Sequence, residues 1–288
     1  MPTSAPRLVE VADRCWVARH PFLDVNAGVV AGERGLLLVD TLFSEDALRL
    51  LLEDVRGLGA GEVVAAVNTH AHFDHCLGNA ALPEAYDAPV LLAHEEAWRS
   101  LREDPDGLRS DGLAHADGAA RRDEIAASRV LAPGDAFSSA RALDLGDRLV
   151  EVVHPGRGHT AGDAVVLVQD ADLLFAGDLV EESGPPGFGP DCFPLAWPAA
   201  LELMTGLVRE QVVVVPGHGA PVDRDFLLEQ RGDIGRVAET IRDLAGRGVP
   251  GSEALAAADW PYPPEALTHA VSRGYAHLPR SARSLPLL

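Results

Sequence analysis

Within Thr69-His70-Ala71-His72-Phe73-Asp74-His75, four metal-capable side chains fall in six positions. Imidazole nitrogens and carboxylate oxygens form a donor set suited to zinc, and also to iron, manganese or cobalt. His70 and His72 stand at i and i+2, which places two side chains on one side of an extended segment. Asp74 and His75 follow where the chain can turn and face a second point. A single tetrahedral ion has little use for four ligands so crowded, whereas two adjacent ions would use them all.

Three later motifs repeat one pattern: an apolar segment, a glycine, then a metal-capable residue. His159 lies in Gly158-His159-Thr160-Ala161-Gly162-Asp163, Asp178 in Phe175-Ala176-Gly177-Asp178, and His218 in Pro216-Gly217-His218-Gly219. Glycine at such a place lets the backbone bend and approach a site closely. The candidate ligands are therefore His70, His72, Asp74, His75, His159, Asp178 and His218. They exceed one tetrahedral site and suit two ions sharing a carboxylate. Thr160 and Asp163 are candidates for holding imidazoles in one tautomer, or for capping their own turn. Cys76, beside His75, is read as packing. His20, His94, His115, His154, His269 and His277 lack the strand-glycine setting and are read as structural or surface residues.

The elements that must position these residues are legible in outline. Residues 7 to 43 read as antiparallel strands, with a hairpin signal at Gly32-Glu33-Arg34-Gly35. Ser44 is an N-cap with Glu45 and Asp46 in the first turn, and Leu48, Leu51, Leu52 and Val55 give helical periodicity up to Gly57. The β-branched run Val63 to Val67 reads as a buried strand that releases its ligands into the turn beyond. A short helix after Gly78, a strand at Pro89 to Leu92 and a helix from His94 to Leu101 follow. Residues 102 to 140 show weak periodicity and read as an irregular insertion with a helical piece at 119 to 128. Strands resume at 148 to 154, 164 to 168, 173 to 176 and 212 to 215, with a helix from Pro198 to about Glu210. The Gly- and Pro-rich residues 183 to 194 read as a loop with its own conformation, and the longer stretch from Asp178 to Val212, with Phe188, Cys192, Phe193 and Trp197, is the best candidate for a substrate wall. Helices are expected at 225 to 246, 252 to 258 and 263 to 278. Two runs of strands, each followed by helices, give an α+β class with a helical tail. The division is 1–221 for the core with its metal site and 222–288 for a C-terminal extension packed on the same domain.

Composition narrows the chemistry. The chain has 288 residues, 47% hydrophobic and 24% charged, the proportions of a globular protein able to build a core without disulfides. Its 24 basic residues are all arginine, so lysine Schiff-base chemistry and a Walker A phosphate loop are excluded. A net charge of -20 argues against nucleic acid or an anionic membrane as partner, leaving a small-molecule substrate. Three scattered cysteines, no signal pattern in Met1 to Arg14 and no membrane-length apolar run fit a soluble, cytoplasmic protein. The oligomeric state leaves no mark in the sequence.

The His-x-His-x-Asp-His run, followed in order by Gly-His-Thr-x-Gly, Gly-Asp and Gly-His, resembles the metallo-β-lactamase superfamily. The resemblance spans roughly Val25 to His218. It implies a four-layer αββα sandwich. It implies that His70, His72 and His159 hold one ion, that Asp74, His75 and His218 hold a second, and that Asp178 bridges them. Two Zn(2+) per chain are the implied cofactors, with iron or manganese as alternatives. The implied activity is a binuclear metal-dependent hydrolase in which a metal-bridged hydroxide attacks an ester, thioester or lactone. Asp74 is then a catalytic residue that orients the nucleophile. Asp178 resembles the glyoxalase II, lactonase and phosphodiesterase branches more than true β-lactamases, which leaves β-lactam hydrolysis as a weak alternative. An iron-dependent persulfide dioxygenase on the same scaffold is the alternative from another class. Phe188, Phe193 and Trp197 are the candidate substrate-binding residues.

Overall fold

The computed structural model describes residues 8–279. Its strands are β1 Val9–Ala12, β2 Cys15–His20, β3 Val25–Gly32, β4 Gly35–Val39, β5 Val63–Asn68, β6 Val90–His94, β7 Asp135–Phe137, β8 Ala140–Asp144, β9 Leu149–Val153, β10 Val165–Val168, β11 Leu173–Glu181 and β12 Val213–His218. One half of the sheet runs β7-β6-β5-β4-β3, with β2 and β1 beyond β3; the other runs β12-β11-β10-β9-β8. Among the described residues, strand pairing joins the halves at one residue pair, His218 with Val25. Backbone hydrogen bonds outside the strands cross as well, from the amides of Arg34, Ala164 and Gly219 to the carbonyls of Leu145, Thr69 and Asp24.

Three apolar clusters define the layers. Val30, Leu37, Val67 and Leu92 of the first half pack on Val150, Val166, Phe175 and Val215 of the second, forming the core between the sheets. Gly28 in β3 makes that approach possible: a Cβ there would lie 2.3 Å from the Phe175 ring. The outer face of the first half is covered by α1 (Glu45–Gly57), which buries Leu48, Leu51, Leu52 and Val55. The outer face of the second is covered by α7 (Trp197–Leu207) and later helices. Helix, sheet, sheet, helix is thus the observed order, as the αββα expectation required. Both sheets are covered on two faces, which is why β3, β4 and β11 are buried along their whole length rather than at alternate residues.

Ser44 caps α1 by accepting from the Ala47 amide at 2.9 Å. Between β5 and β6 lie α2 (Phe73–Cys76), a 3-10 turn at Asn79–Ala81 and α3 (Leu82–Ala85). After β6 comes α4 (Glu95–Glu103), which His94 caps through the Glu96 amide.

Residues 102 to 140 are more regular than expected. They form α5 (Pro105–His115), α6 (Ala119–Ala127) and β7. Periodicity concealed α5 because Gly112 is its one buried residue; a Cβ there would lie 2.8 Å from the Phe73 ring. Its start was nonetheless signalled, since Asp104 caps the Gly107 amide and Pro105 takes the first helical position.

The tail contains α8 (Arg224–Gly246), α9 (Gly251–Ala254), a 3-10 turn (Pro264–Leu267) and α10 (Thr268–His277). The expected single helix over 263 to 278 is therefore broken at its first turn, and the one expected at 252 to 258 is shorter. Expectations touching residues 1–7 and 280–288 lie outside the described residues. No helix among the described residues is long and apolar enough to cross a membrane.

Candidate metal centre

The dense motif divides where the local structure changes. β5 ends at Asn68, His70 follows in the turn, and extended His72 precedes α2. Asp74 and His75 then ride on the single turn of α2 and face a second point. His159 lies in the loop between β9 and β10, and His218 is the last residue of β12. Asp178 departs from expectation: it is inside β11, which continues to Glu181, rather than in a turn beyond it. The β11–β12 register shifts on either side of Gly177, whose φ of +53° marks the irregularity. That irregularity presents Asp178 to the site without ending the strand.

All seven candidates converge. Donor atoms of His70, His72, His159 and Asp178 lie within 4.8 Å of one another, as do those of Asp74, His75 and His218. His72 Nδ1 is 2.8 Å from His159 Nε2, and His75 Nε2 is 3.3 Å from His218 Nε2. Asp178 reaches both groups: Oδ2 is 3.3 Å from the Nε2 atoms of His159 and His218, and Oδ1 is 3.0 Å from His75 Nε2. Donors about 2 Å from a tetrahedral ion lie roughly 3.3 Å apart, close to these separations. His70 Nε2 is buried without a hydrogen-bond partner, and Asp178 Oδ1 lacks hydrogen-bonding alignment despite its short distance to His75. Orphaned buried donors and acceptors are costly. A cation between them removes that cost, so the residues present fit a metal site.

Burial is the largest influence on the five rings and disfavours their charged forms. It prevails at His70, held well below its ordinary value, and at His159, lowered to about 4. At His72 and His218 nearby carboxylates outweigh it, raising these rings to about 9 and about 10; His75 is raised as well. A metal ion competes with those protons, because imidazole binds metal through a free lone pair. Burial also pushes the Cys76 thiol well up, and its Sγ donates to the His72 carbonyl, so Cys76 packs rather than ligates.

The outward nitrogens are held too. His159 Nδ1 donates to the Gly187 carbonyl at 2.7 Å and His218 Nδ1 to that of Leu23 at 2.8 Å, which leaves each Nε2 with its lone pair inward. His75 Nδ1 is 2.9 Å from Asp40 Oδ2, and His72 Nε2 is 3.2 Å from Asp191 Oδ2. Of the two parts considered for Asp163, the structure shows the capping of its own turn. Its carboxylate accepts from the amides of Gly158 and Thr160 and from the Thr160 hydroxyl, bracing the turn that carries His159 without touching the ring.

Asp40, Asp191 and Glu181 were not singled out from the sequence. Asp40 had a readable signal: it directly follows β4, the parallel neighbour of β5, so both chains leave the sheet at one edge. It also accepts from the Thr69 amide and hydroxyl. Asp40→Asn is expected to weaken metal binding by about 10- to 100-fold, measured by competition with a chromophoric chelator. Unchanged affinity would reduce Asp40 to a brace for Thr69. Glu181, raised to about 7 by burial, lies close enough to Asp178 and His218 to form a third donor group.

A cavity of about 1160 Å³ opens over the cluster. Phe188 lines it, as expected of a substrate wall, but Phe193 and Trp197 do not. Trp197 is fully buried, with Nε1 donating to the Leu179 carbonyl, and supports His159 from behind at 5.8 Å between rings. Phe193 lies against His277, Arg157 and Arg273. Further walls come from α4, α5 and the tail, so His115 and His269 face the cavity rather than the outer surface alone.

A sequence model described as "Metallo-beta-lactamase superfamily" matches residues 20–242. The chain is 27% identical over 205 residues to "Metallo-beta-lactamase type 2" of Bacillus sp. (strain 170), covering 70% of each protein. It is 30% identical over 226 residues to "Metallo-beta-lactamase domain-containing protein 1" of Rattus norvegicus, covering 73% of this chain and 75% of that one. Among solved structures, a metallo-β-lactamase from Pontibacter korlensis superposes with a TM-score of 0.65 over 80% of this chain and 98% of its own. At 21% identity that last likeness concerns the fold alone.

Proposed function

The chain belongs to the metallo-β-lactamase superfamily, and from that premise we propose a hydrolase with two zinc ions that cleaves an ester, thioester or lactone of a small molecule. The observation that carries this reading is Asp178, whose oxygens face nitrogens of both donor groups. His70, His72 and His159 would hold one ion and Asp74, His75 and His218 the other, with Asp178 shared. Bound there, the ions supply Lewis acidity that makes water nucleophilic near neutral pH and stabilises developing oxyanion charge. The chain's own residues do the rest. Asp74 lines the cavity, with Oδ2 3.4 Å from His218 Nε2, and is the carboxylate placed to orient the attacking water and take its proton. The water oxygen bonds to the acyl carbon, the carbon–oxygen or carbon–sulfur bond breaks, and that proton goes to the leaving group. A cysteine nucleophile has no place here, since burial pushes the thiols of Cys76 and Cys192 up, the latter to about 12.

The test pairs metal analysis with a substrate panel of esters, thioesters, lactones and a β-lactam, with His70→Ala as control. Two zincs per chain and ester-type turnover lost in the control are expected. Turnover confined to the β-lactam would transfer the activity named for the Bacillus relative to this chain. Stoichiometric iron with oxygen uptake on a persulfide would replace hydrolysis by a dioxygenase reaction. Turnover of nothing beyond the control would sink the catalytic reading altogether.

A further inference from the structure

The cavity over the donor cluster has an uneven charge. The chain carries 24 arginines against 44 carboxylates, yet no arginine among the described residues lines this cavity. Glu103, Asp104 and Asp111 line it from the α4–α5 side and Glu265 from the tail. None of these four comes from a segment that bears a metal-ligand candidate. Glu103 and Glu265 have no ion-pair partner among the described residues. Nearby arginines are turned to other uses: Arg102 stacks on the Trp98 ring at 4.6 Å, and Arg109 pairs with Asp106 at 3.1 Å. The floor of the same cavity independently marks a ligand site, through Asp178, which lines it and whose Oδ1 is buried without a hydrogen-bond partner.

We infer that this cavity selects its substrate by charge, accepting acyl compounds whose distal group is cationic or neutral and rejecting those that carry a carboxylate. The inference rests on the hydrolase reading for its kinetic arm. A carboxylate on the outer part of the substrate would meet a rim of like charge with no arginine to receive it, whereas an ammonium group would be attracted there. Glu103 and Glu265 would attract it above all, since Asp111 already lies 3.5 Å from His115 and Asp104 accepts from the Gly107 amide. The four carboxylates are exposed, so salt weakens the selection, and the effect is one of steering and modest affinity rather than of buried pairing. Bound metal ions place positive charge at the floor, where the scissile group sits. Rim and floor then hold the two ends of a substrate with a polarised acyl group and a cationic tail. A β-lactam or a glutathione thioester, each bearing a carboxylate, is disfavoured at the rim.

The experiment uses the metal-loaded protein and three matched p-nitrophenyl esters: the butanoate, the 4-trimethylammoniobutanoate and the glutarate monoester. At low ionic strength kcat/KM should favour the cationic ester over the anionic one by about tenfold, a ratio that shrinks as salt is added. E103Q/E265Q should reduce that ratio, and E103R/E265R should reverse it. The corresponding anilides, which do not turn over, are titrated calorimetrically to read binding alone. If no ester is cleaved but the anilides keep the order cation, neutral, anion, hydrolysis is refuted and charge selection stands. Equal or anion-favouring affinities, or a ratio that ignores the rim variants, would overturn the inference.

Discussion

Asp178→Ala is expected to lower kcat/KM by about 10³-fold or more and to cut metal content from two ions to about one per chain. The size of the effect follows from position. Asp178 is the carboxylate that reaches nitrogens of both donor groups, and its substitution leaves five imidazoles facing one another with Asp74 as the remaining acid among the seven. Loss of charge can be separated from loss of shape. Asp178→Asn keeps the side-chain volume inside β11, where a Cβ at Gly217 would already lie 1.8 Å from the carboxylate, so the backbone around it has no slack. The asparagine variant should therefore fold and melt cooperatively, yet share the metal and activity losses. Full metal content with wild-type turnover in either variant would show that Asp178 does not join the two sites. Gly217→Ala makes a useful companion, because it removes no donor but drives a methyl group into that carboxylate.

Much of this site could be read from the sequence because its donors follow apolar runs that form strands whatever surrounds them. Val63 to Val67 and Val213 to Val215 are such runs, and a histidine at their ends inherits a fixed place. Two kinds of feature escaped. Asp178 was expected in a turn, because a glycine before it suggested the end of a strand; the parallel pairing with β12 instead carries β11 through the bulge at Gly177. Such pairing is non-local and leaves no periodic trace. Asp40 and Asp191 escaped because each meets its histidine across 35 or more residues of chain, and nothing near an isolated aspartate says which ring it will face. Trp197 misled for the opposite reason. A large aromatic beside a Gly- and Pro-rich loop suggested a wall, but burying its ring in the second half's outer core, with Nε1 on the Leu179 carbonyl, is the lower-energy use. The cavity walls from α5 and the tail were hidden because polar residues at a cavity rim look like any solvated helix face.

Chelation is expected to lower the melting temperature by about 10 °C. A ligand present at about a thousand times its Kd stabilises the folded state by about 4 kcal/mol, and a chain of this size gains about 2–4 °C per kcal/mol. The physical reason lies in how the halves are joined. Strand pairing joins them at one residue pair, His218 with Val25, and a few bonds outside the strands, such as Arg34 and Ala164 amides to the Leu145 and Thr69 carbonyls, are added to the apolar packing between sheets. The donors come from both sides: His70, His72, Asp74 and His75 from the first half, His159, Asp178 and His218 from the second. Metal therefore acts as a clamp across the edge where the two sheets part. The apo protein should not unfold outright, because that core remains. Hydrogen exchange should show where the stability was lost, with faster exchange after chelation at residues 69–76, 158–163 and 217–219 and little change in the centre of β4. A melting temperature that ignores free metal concentration, at a stoichiometry of two ions per chain, would mean that the seven donors are held by the fold alone and that the ions contribute nothing to joining its halves.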